Sequence, residues 1–98
     1  MSKVTIVRYQ TTAEAADENQ RLVEQVYSEL AANDPGGLRY ATFRLDDGVT
    51  FVHVSLVDGE ENPLLATAAF KAFQAGLSDR VVQGPEPRSA VVVGSYRF

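Results

Sequence analysis

The chain has 98 residues and a mass of 10.7 kDa, less than one typical domain length, which excludes a two-domain architecture. Apolar residues at 45% and charged residues at 22% give the balance of a globular chain rather than a disordered, fibrous or membrane one. A net charge of −4 argues against nucleic acid or anionic lipid as partner, and the lack of cysteine removes disulfides, thiolate nucleophiles, Cys-bound zinc and iron–sulfur clusters.

At the N-terminus, Lys3 and Arg8 flank a short apolar run, which does not fit the apolar centre of a secretory signal. No stretch approaches the roughly 18 apolar residues of a spanning helix. The expected setting is therefore cytoplasmic, with no membrane partner. Residues 3–9 are rich in β-branched side chains and predict a first strand. Thr11 stands three residues before Glu14, the capping-box spacing, and predicts that a helix begins there. Leu22, Val23, Val26, Tyr27 and Leu30 recur at helical spacing, while Glu14, Asp17, Glu18 and Glu24 keep the other face wet. Asn33-Asp34-Pro35-Gly36-Gly37 ends that helix.

Residues 38–45 and 49–57 flank Asp46-Asp47-Gly48, and Asp-Gly is a strong hairpin signal because both residues tolerate positive φ. With Asp47 and Gly48 as the turn, Arg44 pairs with Phe51, Thr42 with His53 and Tyr40 with Ser55; the alternate face pairs Phe43 with Val52 and Ala41 with Val54. One face is aliphatic and the other is mixed polar and aromatic. Asn62-Pro63 predicts a second helix whose stripe is Ala66, Phe70, Phe73 and Leu77. Gly84-Pro85-Glu86-Pro87 reads as a turn-rich connection, and residues 89–96 as the final strand.

The order βαββαβ predicts an α+β, ferredoxin-like domain: a four-stranded antiparallel sheet with both helices on one face. The helices are expected to cover Val52, Val54 and Leu56. That leaves Tyr40, Thr42, Arg44, Phe51, His53 and Ser55 on a face with no element of this chain to cover it. Such a mixture is richer than a solvated face needs and poorer in aliphatics than a dry core, which fits a wet pocket under a second subunit.

In element order and length, and in Gly37-Leu38-Arg39-Tyr40, Phe51-Val52-His53-Val54 and the helix bearing Phe70 and Phe73, the chain resembles the antibiotic-biosynthesis-monooxygenase-like dimeric α/β barrels. The resemblance implies a homodimer whose two sheets pack face to face, with a small-molecule pocket. In several members that pocket oxidises polycyclic phenols with dioxygen and no cofactor; related members degrade haem. Those enzymes commonly use an asparagine near the end of the first strand and a tryptophan. Here Tyr9-Gln10 stands at the strand end and there is no tryptophan. The haem-degrading relatives carry their iron-binding histidine on a helix, whereas His53 falls on a strand. Neither catalytic set carries over.

The residues themselves nominate His53, the only histidine, as a general base toward a phenolic proton. The alternative is a structural imidazole hydrogen-bonded across the sheet to Thr42. Arg44 is the candidate anion stabiliser, or else a hairpin-end ion pair. Tyr40, Thr42, Phe51, Ser55 and Tyr9 are the candidate walls for a small aromatic molecule, or else packing against a partner. Ser55 and His53, two apart on a strand, stand about 6.6 Å apart along the backbone, too far for a nucleophile–base bond. The acids Asp46, Asp47, Asp58, Glu60 and Glu61 fall in turns and loops where solvation explains them, so no metal or cofactor is expected. Asp47-Gly48-Val49-Thr50-Phe51-Val52-His53-Val54 aligns loosely with an RNA-recognition motif. Asp47 stands where a base belongs, Val49 and Val54 replace aromatics, and Thr5 replaces the stacking ring, which removes that reading. The functional readings are thus cofactor-independent oxidation of a phenolic or quinol-like compound, or a non-catalytic ligand-binding or structural homodimer.

Overall fold

The computed structural model describes residues 3–98. Its elements are β1 (Lys3–Thr11), α1 (Ala16–Asn33), β2 (Leu38–Arg44), β3 (Thr50–Val57), a 3₁₀ turn (Pro63–Ala66), α2 (Ala68–Ala75), α3 (Leu77–Arg80) and β4 (Val81–Ala90). The strands lie in the order β2-β3-β1-β4, every neighbouring pair antiparallel. This is the ferredoxin-like arrangement expected, with α2 and α3 together in the second helical position.

The hairpin register is the one read from the sequence: Arg44 faces Phe51, Thr42 faces His53 and Tyr40 faces Ser55. The turn reaches it differently. Only Gly48 takes a positive φ (79°), and its N–H donates to the Leu45 carbonyl at 3.0 Å. Asp47 contributes its carboxylate instead, accepting from the Val49 and Thr50 backbone N–H groups at 3.0 and 2.9 Å and from the Thr50 hydroxyl at 2.5 Å. An Asx-type clasp thus replaces a second left-handed residue.

The faces are the reverse of the expectation. The helices cover the mixed face, where Tyr9, Phe51 and Phe73 join Ala16, Val23, Val26 and Leu64 in one buried cluster. Val52, Val54 and Ile6 on the other face are half-buried and Phe43 is 52% exposed, while Leu56 and Val4, paired on that same face, are buried. The physical reason is size and satisfaction together. Large aromatic rings fill the sheet–helix space, and the polar atoms among them find partners on α1 and on neighbouring strands, so none is left buried without one among the described residues.

Three boundaries also move. Thr11 is the last residue of β1, its hydroxyl turned to the Val49 carbonyl at 3.4 Å; Thr12 accepts from the Ala15 N–H at 3.1 Å, and α1 starts later than the capping-box spacing suggested. Asn62 does cap, accepting from the Leu64 N–H at 3.0 Å, but the chain turns extended at Thr67 (ψ 122°), splitting the predicted helix; Ala66 is exposed while Phe73 is buried. The final strand occupies 81–90 rather than 89–96, through the supposed connection. Prolines are tolerated there because β4 is an edge strand. Gly84 is required: at φ +88°, a Cβ would meet the Arg8 carbonyl at 2.8 Å. Residues beyond Ala90 form no strand, and the Phe98 carbonyl accepts from Arg39.

No helix among the described residues is long and apolar enough to cross a membrane.

Candidate functional site

A cavity of about 270 Å³ opens between the sheet and the second helical segment, just below the roughly 300–1,000 Å³ usual for small-molecule sites. The sheet contributes Thr5, Val7, Tyr9, Tyr40, His53 and Ser55; the helical side contributes Leu64, Phe70, Phe73, Gln74 and Leu77; Asn62, Pro85 and Pro87 complete the rim. These positions follow from strand alternation: Val7 and His53 pair across β1 and β3, as do Tyr9 and Phe51.

Along one end runs a buried line of hydrogen bonds. Arg80 Nε donates to Asn19 Oδ1 at 3.0 Å, and Asn19 Nδ2 donates to the Tyr9 hydroxyl oxygen at 2.8 Å. Tyr9 lies 2.8 Å from His53 Nε2; Tyr40 lies 2.5 Å from His53 Nδ1, with Thr42 at 3.2 Å. Tyr27 continues the line, 2.7 Å from the Thr42 hydroxyl. A guanidinium has no acceptor, so Asn19 accepts from Arg80 and gives its own N–H to Tyr9. Beyond Tyr9 the direction follows the His53 tautomer: with the ring hydrogen on Nδ1, Tyr9 donates to Nε2 and His53 donates to Tyr40, whose own hydroxyl hydrogen is then shared between Thr42 and the cavity.

Burial governs the protonation of this line. It holds His53 down to about 4, so the imidazole is neutral at pH 7. It pushes Tyr9 up to about 12, against the pull of the Asn19 hydrogen bond and the Arg80 charge. Tyr40 is raised by burial and then by Tyr27, while Thr42 opposes the shift. The cavity therefore presents neutral donors and acceptors in a mostly apolar wall, a lining suited to a small aromatic molecule with an oxygen substituent.

Of the residues singled out in the sequence, Tyr9, Tyr40, His53 and Ser55 line the cavity together. Thr42 and Phe51 lie behind it, Thr42 holding His53 and Phe51 stacked on Tyr9 at 5.6 Å between ring centres. Arg44 stands apart, at the hairpin end, bonded to Asp17 at 3.0 Å, Gln20 at 2.7 Å and the Gly48 carbonyl at 2.8 Å. Sequence reasoning missed Asn19 and Arg80. The signal for Asn19 was available: with Ala16, Val23 and Val26 it forms the buried stripe of α1, so a polar residue there has to find a polar partner inside. Arg80, at the end of the second helical segment, carried no such mark. Among the described residues no group of three or more metal-binding side chains is gathered.

Solved structures share this fold. A candidate antibiotic biosynthesis monooxygenase from Bacteroides thetaiotaomicron superposes with a TM-score of 0.80 at 18% identity, covering 94% of this chain and 90% of its own. A candidate of the same kind from Chloroflexus aurantiacus gives 0.74 at 14%, covering 98% and 97%. SnoaB, a cofactor-independent oxygenase from Streptomyces nogalater, gives 0.70 at 14%, covering 99% and 98%. The chain thus has the fold of the antibiotic biosynthesis monooxygenase proteins. No family model matches it, and no curated protein matches it in sequence.

Proposed function

We propose that the chain is a cytoplasmic homodimer that oxidises a small, electron-rich phenol or quinol with dioxygen, without a cofactor, in the cavity between its sheet and helices. The observation that carries this reading is the neutral Tyr9–His53–Tyr40 set exposed to a mostly apolar cavity. Tyr9 oxygen takes the phenolic proton as its own passes to His53 Nε2, and the resulting imidazolium donates to both tyrosines. Tyr40 donates to the substrate oxygen. The anion reduces dioxygen; where oxygen enters at a methylene carbon, R₂CH₂ + O₂ gives R₂C=O + H₂O, so the substrate supplies all the electrons. Arg44, at the hairpin end, has no part in this scheme. Oxygen uptake with a panel of naphthols, hydroquinones and anthrones tests it. His53→Gln should lower kcat by about 10²–10⁴-fold, and an unchanged rate would remove His53 from the reaction.

A second reading, non-catalytic binding of the same class of molecule, is favoured by one feature. Both ring nitrogens of His53 already have partners, and its basicity is held to about 4, so it satisfies its surroundings without any reaction. That reading predicts an unmodified compound retained by the protein and no oxygen uptake.

A further inference from the structure

Arg80 is a buried cation with no anion beside it. It is 6% exposed, yet its partners are neutral acceptors: Asn19 Oδ1 at 3.0 Å and the Phe73 carbonyl at 2.8 Å. The two ion pairs found among the described residues, Arg21–Glu18 and Arg44–Asp17, do not include it. Room is kept for it as well, since a Cβ at Gly76 would lie 2.8 Å from Arg80 Nη1. Taking a charge out of water without a counter-charge is costly, and a longer apolar side chain would fill the same space. The charge sits against the site: the guanidinium carbon is 5.2 Å from the centre of the Phe73 ring, and Phe73 walls the cavity.

The hydrogen-bond line adds direction to that charge. Arg80 and Asn19 donate along the line, and with the ring hydrogen of His53 on Nδ1 each later group does the same, so that Tyr40 has its hydroxyl hydrogen to offer. We infer that this end of the cavity is an oxyanion site, in which Tyr40 donates to a ligand oxygen and Arg80 is the counter-charge, so that the ligand is held as a phenolate or enolate. The inference rests on the phenol-site reading above and narrows its substrate class to weak acids bound in ionised form. Tyr40 touches the ligand; Arg80 and Asn19 are positioning residues. The titratable groups at this end are Tyr9 from β1, Tyr27 from α1, Tyr40 from β2, His53 from β3 and, behind Phe73, Arg80 from α3, and no carboxylate lines the cavity among the described residues. On ionisation the ligand's proton is released to the buffer. Burial of His53 keeps it from staying on the imidazole.

The test is the absorption spectrum of 2-naphthol bound to the whole protein, titrated with pH under nitrogen so that no oxidation intervenes. Naphthol bound to the native protein should ionise roughly one pH unit or more below free naphthol. Arg80→Gln should abolish that shift. Should Arg80→Gln fail to fold, Asn19→Asp serves instead, because it keeps the shape and sets a carboxylate against the guanidinium; it too should return bound naphthol to, or above, its free value. Ionisation of bound naphthol at its free value in the native protein, or a shift that survives in the folded variants, overturns the oxyanion site while leaving the cavity as a phenol site. Absence of saturable binding overturns both.

Discussion

Removing one oxygen atom, by Tyr9→Phe, tests the buried line most directly. The ring stays, stacked on Phe51 with planes 13° apart, so packing is nearly unchanged and only the hydroxyl that joins Asn19 to His53 is lost. The two orphaned groups differ in what can replace it. His53 lines the cavity, where a water molecule can reach Nε2. Asn19 is 0% exposed and does not line the cavity, so its Nδ2 hydrogen is left without an acceptor. One unsatisfied buried donor costs about 1–3 kcal/mol, and that is the expected loss of stability. Urea unfolding at a fixed protein concentration measures it, with the slope checked for constancy so that the midpoints report free energy. A loss under about 0.5 kcal/mol would mean that the line does not hold in solution, and the direction argued for His53 and Tyr40 would go with it.

Three further outcomes are expected. His53 lies near 4 in the folded chain against 6.5 for an exposed imidazole; between those values the unfolded chain binds a proton that the folded one does not. Stability should therefore fall as pH drops through this window, by about 3 kcal/mol in all, and His53→Gln should flatten that slope in urea midpoints taken from pH 7 to 4. Glu29 on α1 accepts from the Ala68 and Ala69 N–H groups at 3.0 and 2.9 Å, doing for α2 what Thr67 does not. Glu29→Ala should cost about 1 kcal/mol and speed amide exchange over residues 68–75 more than elsewhere. Native mass spectrometry should find the chain as a dimer and Val54→Asp as a 10.7 kDa monomer; a monomeric native protein would end the homodimer reading.

The hairpin was legible because its register depends on local chemistry: Asp47-Gly48 marks the turn, and strand alternation then pairs every residue through Arg39. Alternation says which residues share a face but not which face the helices cover. Val52 and Val54 looked like the core, yet Tyr9, Phe51 and His53 occupy it, because Asn19 partners Tyr9 and is itself held by Arg80, Tyr27 partners Thr42, and His53 is held between Tyr9 and Tyr40. That match is made between residues far apart in sequence, 61 positions in the case of Arg80 and Asn19, and no local pattern carries it. The same holds for β4. Pro85 and Pro87 read as a break because the rule against proline in strands applies to central strands, and the edge position of β4 is a property of the whole sheet.

The reversal of the faces changes what each one is for. A polar line inside a small domain is a poor source of stability, since its hydrogen bonds do little more than replace those lost to water, and Arg80 adds an unpaired charge. Meanwhile Ile6, Val52, Val54 and Phe43, which burial would stabilise at about 25 cal/mol per Å², remain half-buried or exposed. Among the described residues no third layer of helix or strand covers them. In the proposed homodimer a second copy packed against this face would supply the missing apolar burial without touching the cavity, which opens on the other side of the sheet. On that proposal the wrapped face would be free to carry groups that suit a ligand rather than stability, and the outer face would carry the association that compensates for them.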